Sequence, residues 1–251
     1  MITFSGKHLL IAGGSRGIGA ATAVLAARAG AVVSIGYRGD HRAAQATVDR
    51  ITAAGGRASA FAHDLGEAGA PAALVADAIR AHGDLDGLVV AAGVFQAADL
   101  ADMSVGFWDF TMQVNLRASF LAIQAVIPSL RRRGGGSIVL YTSTAGQRGS
   151  EHHSAYAVSK GGQILLMRSA ARELAGDRIR CNCVAPGWTD TDMAAGELDP
   201  ASRVAVEKSI PLGRIGRPEE PASAALFLLS DLAAFITGST ITVDGGFDMR
   251  G

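Results

Sequence analysis

The sequence predicts a single α/β domain in which a mainly parallel sheet is covered by helices on both faces. Short β-rich runs alternate with longer alanine-rich helical segments along the 251 residues, a rhythm typical of parallel sheets. No Pro/Ser-rich linker or internal repeat interrupts this alternation, and 49% hydrophobic residues are enough for a large core. Seven predicted strands fit a doubly wound, Rossmann-type domain over residues 1–251, with its ligand crevice at the carboxyl ends of the strands.

The predicted strands are the short β-rich runs between the helical segments. In chain order they are 7–12, 31–37, 57–62, 87–91, 137–142, 178–185 and 239–243.

A glycine-rich turn joins the first strand to the first helix. It reads Gly13-Gly14-Ser15-Arg16-Gly17-Ile18-Gly19, and the segment that follows is rich in Ala and Leu. Glycines let the backbone turn sharply and approach a ligand, and the free N–H groups at a helix start favour a diphosphate. The spacing is G-x-x-x-G-x-G, which differs from the G-x-G-x-x-G dinucleotide pattern, but its position between strand and helix favours dinucleotide binding.

The second strand ends in Tyr37-Arg38-Gly39-Asp40, where a carboxylate would bind an unphosphorylated adenosine ribose. Arg38 instead suits a 2′-phosphate, and Arg16 in the glycine turn offers a second guanidinium to the same group. We therefore favour NADP(H) over NAD(H). The alternative is that both arginines are solvated and Asp40 turns back to hold the ribose of NAD.

The fifth strand leads to Ser143, and thirteen residues later the chain reaches Tyr156, followed by Lys160. The segment around Tyr156 has helical spacing, so residues four apart lie on one face and the phenol and ammonium point the same way. A tyrosine acting near neutrality needs its pKa lowered by roughly three units, about 4 kcal/mol. A lysine about 5 Å away supplies roughly 3 kcal/mol, so a second positive group, such as an oxidised nicotinamide, is required.

After the sixth strand the regular alternation lapses between residues 186 and 218. Long insertions after the carboxyl end of a strand are usually functional. We predict a mobile flap over the substrate, and the alternative is an ordered loop that serves only packing.

The composition favours a small-molecule partner. The 23 basic and 23 acidic residues balance, which removes the electrostatic argument for nucleic acid or an anionic membrane. No apolar run reaches the length of a signal-peptide core or a membrane span, so we expect a cytoplasmic protein. Cys181 and Cys183 are two apart on a predicted strand, and we expect free packed thiols and no metal site.

These residues together resemble the short-chain dehydrogenase/reductase family over nearly the whole chain, to Val243-Asp244-Gly245-Gly246. The resemblance implies that Tyr156 is the general acid/base, that Lys160 lowers its pKa and holds the nicotinamide ribose, and that Ser143 orients the substrate carbonyl. It further implies that Asn115 holds a water linking Lys160 to solvent, although an ordinary helix-surface amide is the alternative. Cofactor contacts implied in the same way are Asp64, Leu65, Ala92, Gly93, Pro186, Gly187 and Thr189.

Within the family, the chain is most similar to 3-oxoacyl-thioester reductases and to bacterial sugar or alcohol dehydrogenases. The resemblance implies hydride transfer between NADP(H) and a carbonyl or secondary alcohol, in a homotetramer. A non-catalytic nucleotide-binding redox sensor is the alternative from another class, and it would not need the Asn115, Ser143, Tyr156 and Lys160 set. The basic run 131–133 could dock an acidic carrier protein, but a solvated helix end explains it equally.

Two departures from the family pattern fall on neighbouring strands. Members of the family usually carry threonine at the position of Ala12 and an Asn-Asn-Ala-Gly motif where this chain has Val90-Ala91-Ala92-Gly93. Both partners of an expected buried hydrogen bond are therefore apolar here, a change that can be nearly neutral. We expect the two losses to compensate each other.

Overall fold

A seven-stranded sheet organises the computed structural model, which describes residues 2–196 and 198–249. Its strands are β1 (His8–Ala12), β2 (Val32–Tyr37), β3 (Arg57–Ala62), β4 (Gly87–Val90), β5 (Gly136–Tyr141), β6 (Ile179–Pro186) and β7 (Thr240–Val243). The order across the sheet is β3-β2-β1-β4-β5-β6-β7, and every neighbouring pair is parallel. The predicted fold class is confirmed, and each strand bound lies within one residue of its predicted position.

Helices connect the strands and cover both faces of the sheet. They are α1 (Gly17–Arg28), α2 (His41–Ala53), α3 (Ala70–His82), α4 (Val105–Thr111), α5 (Ala118–Arg132), α6 (Ala145–Arg148), α7 (Ser154–Glu173), α8 (Asp192–Ala195), α9 (Pro200–Ser209) and α10 (Glu219–Leu229). A π-helix, Met112–Arg117, joins α4 to α5. No helix in the described part of the chain combines the length and apolar content that a bilayer crossing requires.

The side chains of each central strand alternate between two cores. Leu10 and Leu140 belong to the core that α3, α5 and α7 cover. Ile11 and Val139 belong to the core under α1 and α10. Because strands buried on both faces need apolar residues at successive positions, their sequences read as continuous hydrophobic runs.

The direction in which successive strands are added to the sheet reverses between β1 and β4. From β1 the chain winds outward through β2 to β3, and then returns to the other side of β1 to form β4. A crevice opens where strand order reverses in this way, at the carboxyl edge of the sheet. The loops that follow β1, β4, β5 and β6 therefore meet at one place.

Candidate active site

A cavity of about 600 Å³ lies at the carboxyl edge of the sheet, on this reversal point. It is lined by Ser143, Tyr156 and Lys160 and by every predicted cofactor contact. Those contacts are Gly13, Ser15, Arg16, Gly17, Ile18, Gly19, Tyr37, Arg38, Asp64, Leu65, Ala92, Gly93, Pro186, Gly187 and Thr189. Residues predicted from seven separate segments thus border one space.

The glycine turn has the geometry of a phosphate cradle. Gly13 has φ +92°, and a Cβ on it would lie 2.4 Å from the Ala92 nitrogen, so only glycine fits there. Arg16 stands in the N-cap position of α1, but its side chain caps none of the first N–H groups, and the first turn holds no acidic residue. Those N–H groups and the helix dipole suit an anionic group, so the residues present fit a dinucleotide diphosphate.

Tyr156 lies in the first turn of α7, facing the loop after β5. Its side chain is buried, and its hydroxyl is hydrogen bonded to Ser143. The Ser143 Oγ also accepts a hydrogen bond from the Ala145 backbone at 3.1 Å, which orients it at the start of α6. Two hydroxyl groups are therefore directed at the same part of the cavity.

Burial raises the pKa of Tyr156 to about 12, and the Ser143 hydrogen bond acts in the opposite direction. A buried phenolate is disfavoured because it loses hydration. The phenol is therefore protonated at neutral pH in this structure. The lowering of its pKa by Lys160 and a cationic cofactor stays a prediction.

Lys160 is buried one turn after Tyr156. Its Nζ donates a hydrogen bond to the Tyr141 carbonyl at 2.8 Å and lies 5.7 Å from the centroid of the Tyr156 ring. Burial lowers the pKa of Lys160 to about 8. The predicted placement of phenol and ammonium on one helix face agrees with this geometry.

Asn115 lies behind the cavity wall, in the π-helix rather than in a regular helix. It is fully buried, so the alternative of a helix-surface amide is wrong. Its side chain accepts from the Val94 nitrogen at 2.8 Å and donates to the Val94 carbonyl and the Ser159 Oγ, each at 3.0 Å. Asn115 thus ties the loop after β4 to α7, beside Lys160.

The end of the cavity next to the glycine turn and the end of β2 carries both predicted arginines. Arg38 is exposed there, whereas Arg16 Nη1 lies 3.6 Å from Asp192 and 4.0 Å from Asp40. Asp40 also caps α2, accepting from the Ala43 nitrogen at 2.9 Å. Its carboxylate therefore already serves the helix and Arg16.

The apolar replacements on β1 and after β4 are joined through the backbone. Ala12 is fully buried, and its carbonyl accepts hydrogen bonds from the nitrogens of Ala91 and Ala92 at 2.8 and 2.9 Å. These bonds do not need a threonine or asparagine side chain. The carboxyl ends of the two strands therefore stay paired without the family's side-chain bond.

Sequence reasoning missed the aromatic lining of the cavity. Phe95 meets the Tyr156 ring edge-on, with centroids 4.7 Å apart, and stacks on His153 at 4.2 Å. The Trp188 ring lies 6.4 Å from Phe95 at 80°. Phe95 follows Gly93 by two residues, and Trp188 directly follows Gly187. Their closeness in sequence to predicted cofactor contacts was the one signal that could have placed them in the cavity wall.

The basic run 131–133 has acidic partners in the structure. Arg131, Arg132 and Arg133 pair with Asp177, Asp84 and Asp86, so this basic run is not simply solvated.

Cys181 and Cys183 are buried free thiols, and burial raises the pKa of both to about 12. Among the described residues, no group of three His, Cys, Asp or Glu could hold a metal ion.

The segment 186–218 contains α8 and α9, and Glu197 within it lies outside the described residues. Its two ends are joined: Thr189 and Gly216 form a parallel bridge, and the Asp190 nitrogen donates to the Gly216 carbonyl at 2.8 Å. Thr191 and Met193 from this segment line the cavity. The segment therefore borders the site, and its mobility stays a prediction.

Comparison with known proteins gives consistent matches. A family model described as Enoyl-(Acyl carrier protein) reductase matches residues 12–248. L-rhamnose 1-dehydrogenase (NAD(P)(+)) of Sphingomonas sp. (strain SKA58) is 38% identical over 248 residues, 98% of each chain. The 3-oxoacyl-[acyl-carrier-protein] reductase FabG of Chlamydia pneumoniae is 36% identical, again over 98% of each chain.

A solved structure has the same architecture. It is a 7 alpha-hydroxysteroid dehydrogenase complexed with NADH and 7-oxo glycochenodeoxycholic acid, with a TM-score of 0.94 and 33% identity. The match covers 98% of this chain and 95% of that one.

Proposed function

Because the chain belongs to the short-chain dehydrogenase/reductase family, we propose that it transfers a hydride between NADP(H) and a carbonyl or secondary alcohol, with Tyr156 as general acid/base. The observation that carries the proposal is that Ser143, Tyr156 and Lys160 line the same cavity as the glycine turn. A non-catalytic redox sensor would have no use for that arrangement.

Ser143 and Tyr156 act on the substrate oxygen. In reduction, both hydroxyl groups donate hydrogen bonds to the carbonyl oxygen, and Tyr156 gives it a proton as negative charge develops. The reverse direction needs the tyrosinate as base. When bound, the nicotinamide supplies or accepts the hydride. Its oxidised ring carries a positive charge that, with Lys160, lowers the pKa of Tyr156 from about 12.

Lys160 stabilises the tyrosinate and contacts the nicotinamide ribose. With a pKa of about 8, its ammonium is charged at neutral pH although the side chain is buried. Asn115 holds the neighbouring loop and a relay water, so that the proton taken from Tyr156 is replaced from solvent. The side-chain bonds from Asn115 to Val94 and Ser159 support a fixed position beside Lys160.

NADP(H) is the favoured cofactor because Arg16 and Arg38 both border the adenosine end of the cavity. Guanidinium groups bind phosphate through forked, charge-assisted bonds. The engagement of Asp40 as a helix cap argues against its use as a ribose ligand for NAD(H). The ratio of kcat/KM values for NADPH and NADH tests the choice.

For the substrate, a 3-oxoacyl thioester is the first candidate, since a relative that matches nearly the full length is named a 3-oxoacyl-[acyl-carrier-protein] reductase. A sugar or a cyclic or secondary alcohol is the second, supported by the L-rhamnose dehydrogenase and hydroxysteroid dehydrogenase names. A spectrophotometric screen of acyl thioesters, sugars, ketones and cyclic alcohols with both cofactors distinguishes them. No turnover of any substrate class would contradict the proposed function.

We also propose a cytoplasmic homotetramer. Phe120 on α5 and Val158 and Leu165 on α7 expose 45%, 50% and 63% of their surface, and apolar side chains on neighbouring helices suit a subunit contact. The two buried free thiols suit a reducing compartment. Light scattering coupled to size exclusion measures the assembly, and a monomeric mass would contradict it.

A further inference from the structure

Phe95 and Trp188 form an aromatic wall beside the reacting centre. Both line the cavity, and their rings meet at 80°. Phe95 and the Tyr156 ring meet in a T-shaped arrangement, and His153 stacks on Phe95. A carbonyl held by Tyr156 therefore has its substituents beside two aromatic side chains, which favour flat apolar groups over hydrated ones.

Arg148 lies at the same end of the cavity, on a helix that is fixed against the catalytic lysine. It is the last residue of α6, five residues after Ser143. A Cβ on Gly146 would lie 2.6 Å from the Lys160 carbonyl carbon, so the backbones of α6 and α7 are in close contact there. The position of Arg148 relative to Ser143 and Lys160 is thus set by rigid elements.

The guanidinium of Arg148 is held in a way that suits an anion. Its Cζ lies 4.5 Å from the centroid of the Phe247 ring, which supports one face of the group. Its Nε lies 3.7 Å from the Asp248 carboxylate, and 40% of the side chain is exposed. The Asp248 side chain is only 9% exposed, but its contact with Arg148 is longer than a hydrogen bond, so a substrate anion can compete for the N–H groups of the exposed guanidinium.

We infer that the substrate carries an apolar ring beside its reacting carbon, against Phe95 and Trp188, and a carboxylate that Arg148 binds. Arg16 and Arg38 border the opposite, adenosine end, so Arg148 is not needed for the cofactor phosphate. The inference rests on the proposed carbonyl chemistry and names its substrate class as aromatic or cyclic keto acids and the matching hydroxy acids.

The first test compares 4-acetylbenzoate with its methyl ester, using the full chain and NADPH. Wild type should show about a tenfold higher kcat/KM for the carboxylate, the size of a charge-assisted hydrogen bond. Arg148→Met should bring the ratio close to one, and Arg148→Lys should retain part of the preference. Arg28→Met, which removes an exposed guanidinium on α1, should keep the wild-type ratio and serves as the matched control.

The second test compares 4-acetylbenzoate with 5-oxohexanoate, which keeps the carboxylate and lacks the ring. Phe95→Leu should reduce the preference for the aryl ketone about fivefold and leave the carboxylate-to-ester ratio unchanged. Benzoate, which has no ketone, should inhibit reduction of the neutral ester competitively in wild type and about tenfold more weakly in Arg148→Met, with an intermediate effect in Arg148→Lys.

The outcomes separate the inference from the proposed function. Turnover of both the acid and its ester with the same kcat/KM, or an acid preference that survives Arg148→Met, overturns the inference and leaves hydride transfer intact. Failure of wild type to reduce any ketone with either cofactor overturns both.

Discussion

The Lys160 ammonium donates a hydrogen bond to the Tyr141 carbonyl at 2.8 Å, which anchors the cation of α7 on the last residue of β5. Ser143 follows Tyr141 by two residues, so one strand end positions both the ammonium and the serine hydroxyl. Tyr156 reaches the same point from the first turn of α7. Tyr156 and Lys160 are therefore positioned by the packing of α7 against β6 and by the Lys160 bond to the end of β5, whereas Ser143 stands in the short loop after that strand.

Reduction should lose efficiency as pH rises through about 8. Tyr156, with a pKa of about 12, stays protonated over this range, whereas Lys160, with a pKa lowered to about 8 by burial, loses its charge. Without that charge the developing tyrosinate is less stable, so kcat/KM for carbonyl reduction falls on the alkaline side. Initial rates between about pH 6 and 10 measure the profile.

Lys160→Met is the control for this profile. It should lower kcat/KM at neutral pH and remove the decline near pH 8, because the titrating group is gone. An unchanged alkaline decline in that variant would assign it to another group.

Cofactor choice should depend on Arg38. Arg38→Ala removes an exposed guanidinium at the adenosine end and should lower kcat/KM for NADPH roughly 10-fold to 100-fold, with little change for NADH. Arg16→Ala should act in the same direction. Asp40→Asn tests the alternative that Asp40 holds the ribose of NAD. We expect kcat/KM for NADH to stay unchanged in this variant, and a large decrease would mean that Asp40 holds the ribose. A wild-type preference for NADH would contradict the assignment.

Ala12→Thr should not stabilise the protein. Ala12 is fully buried among apolar side chains, and its carbonyl already accepts from Ala91 and Ala92. A threonine hydroxyl there lacks an asparagine partner on the adjacent strand, and an unsatisfied buried hydroxyl costs about 1–3 kcal/mol. Valine has nearly the shape of threonine but no hydroxyl. Comparing the Tm of Ala12→Thr with that of Ala12→Val therefore separates the effect of the hydroxyl on stability from the effect of the added volume. A clear rise in Tm for Ala12→Thr would refute the compensation.

Much of this fold follows from local sequence. The strands were predictable because each predicted run is short, mostly apolar or β-branched, and directly preceded by Gly or Asp. The phosphate cradle was predictable because glycine tolerates the positive φ of Gly13. Tyr156 and Lys160 were predictable because helical spacing puts positions four apart on one face.

Other features of the site depend on contacts between distant segments. Nothing local to Arg148 indicates that Phe247, ninety-nine residues later, supports its guanidinium. The π-helix around Asn115 could not be predicted from hydrophobic periodicity, because the sequence from 105 to 132 has the pattern of one continuous helix. The pairing of Arg131–Arg133 with Asp177, Asp84 and Asp86 likewise requires the tertiary fold.

Cofactor binding should slow proteolysis of the segment 186–218. Thr189, Thr191 and Met193 line the cavity, and the segment offers trypsin sites at Arg203, Lys208 and Arg214. Because a bound dinucleotide adds contacts to the segment, cleavage there should decline several-fold with saturating NADP(H), as followed by mass spectrometry. Equal cleavage with and without cofactor would favour an ordered packing loop.

The most direct test of the account is turnover by Tyr156→Phe, which removes one hydroxyl and keeps the ring that Phe95 contacts. If Tyr156 is the proton donor, kcat for carbonyl reduction should fall at least about a thousandfold, while the Kd for NADPH, measured by titration calorimetry, should stay within about twofold of wild type. Activity within a few-fold of wild type would contradict the assignment of Tyr156 as the proton donor.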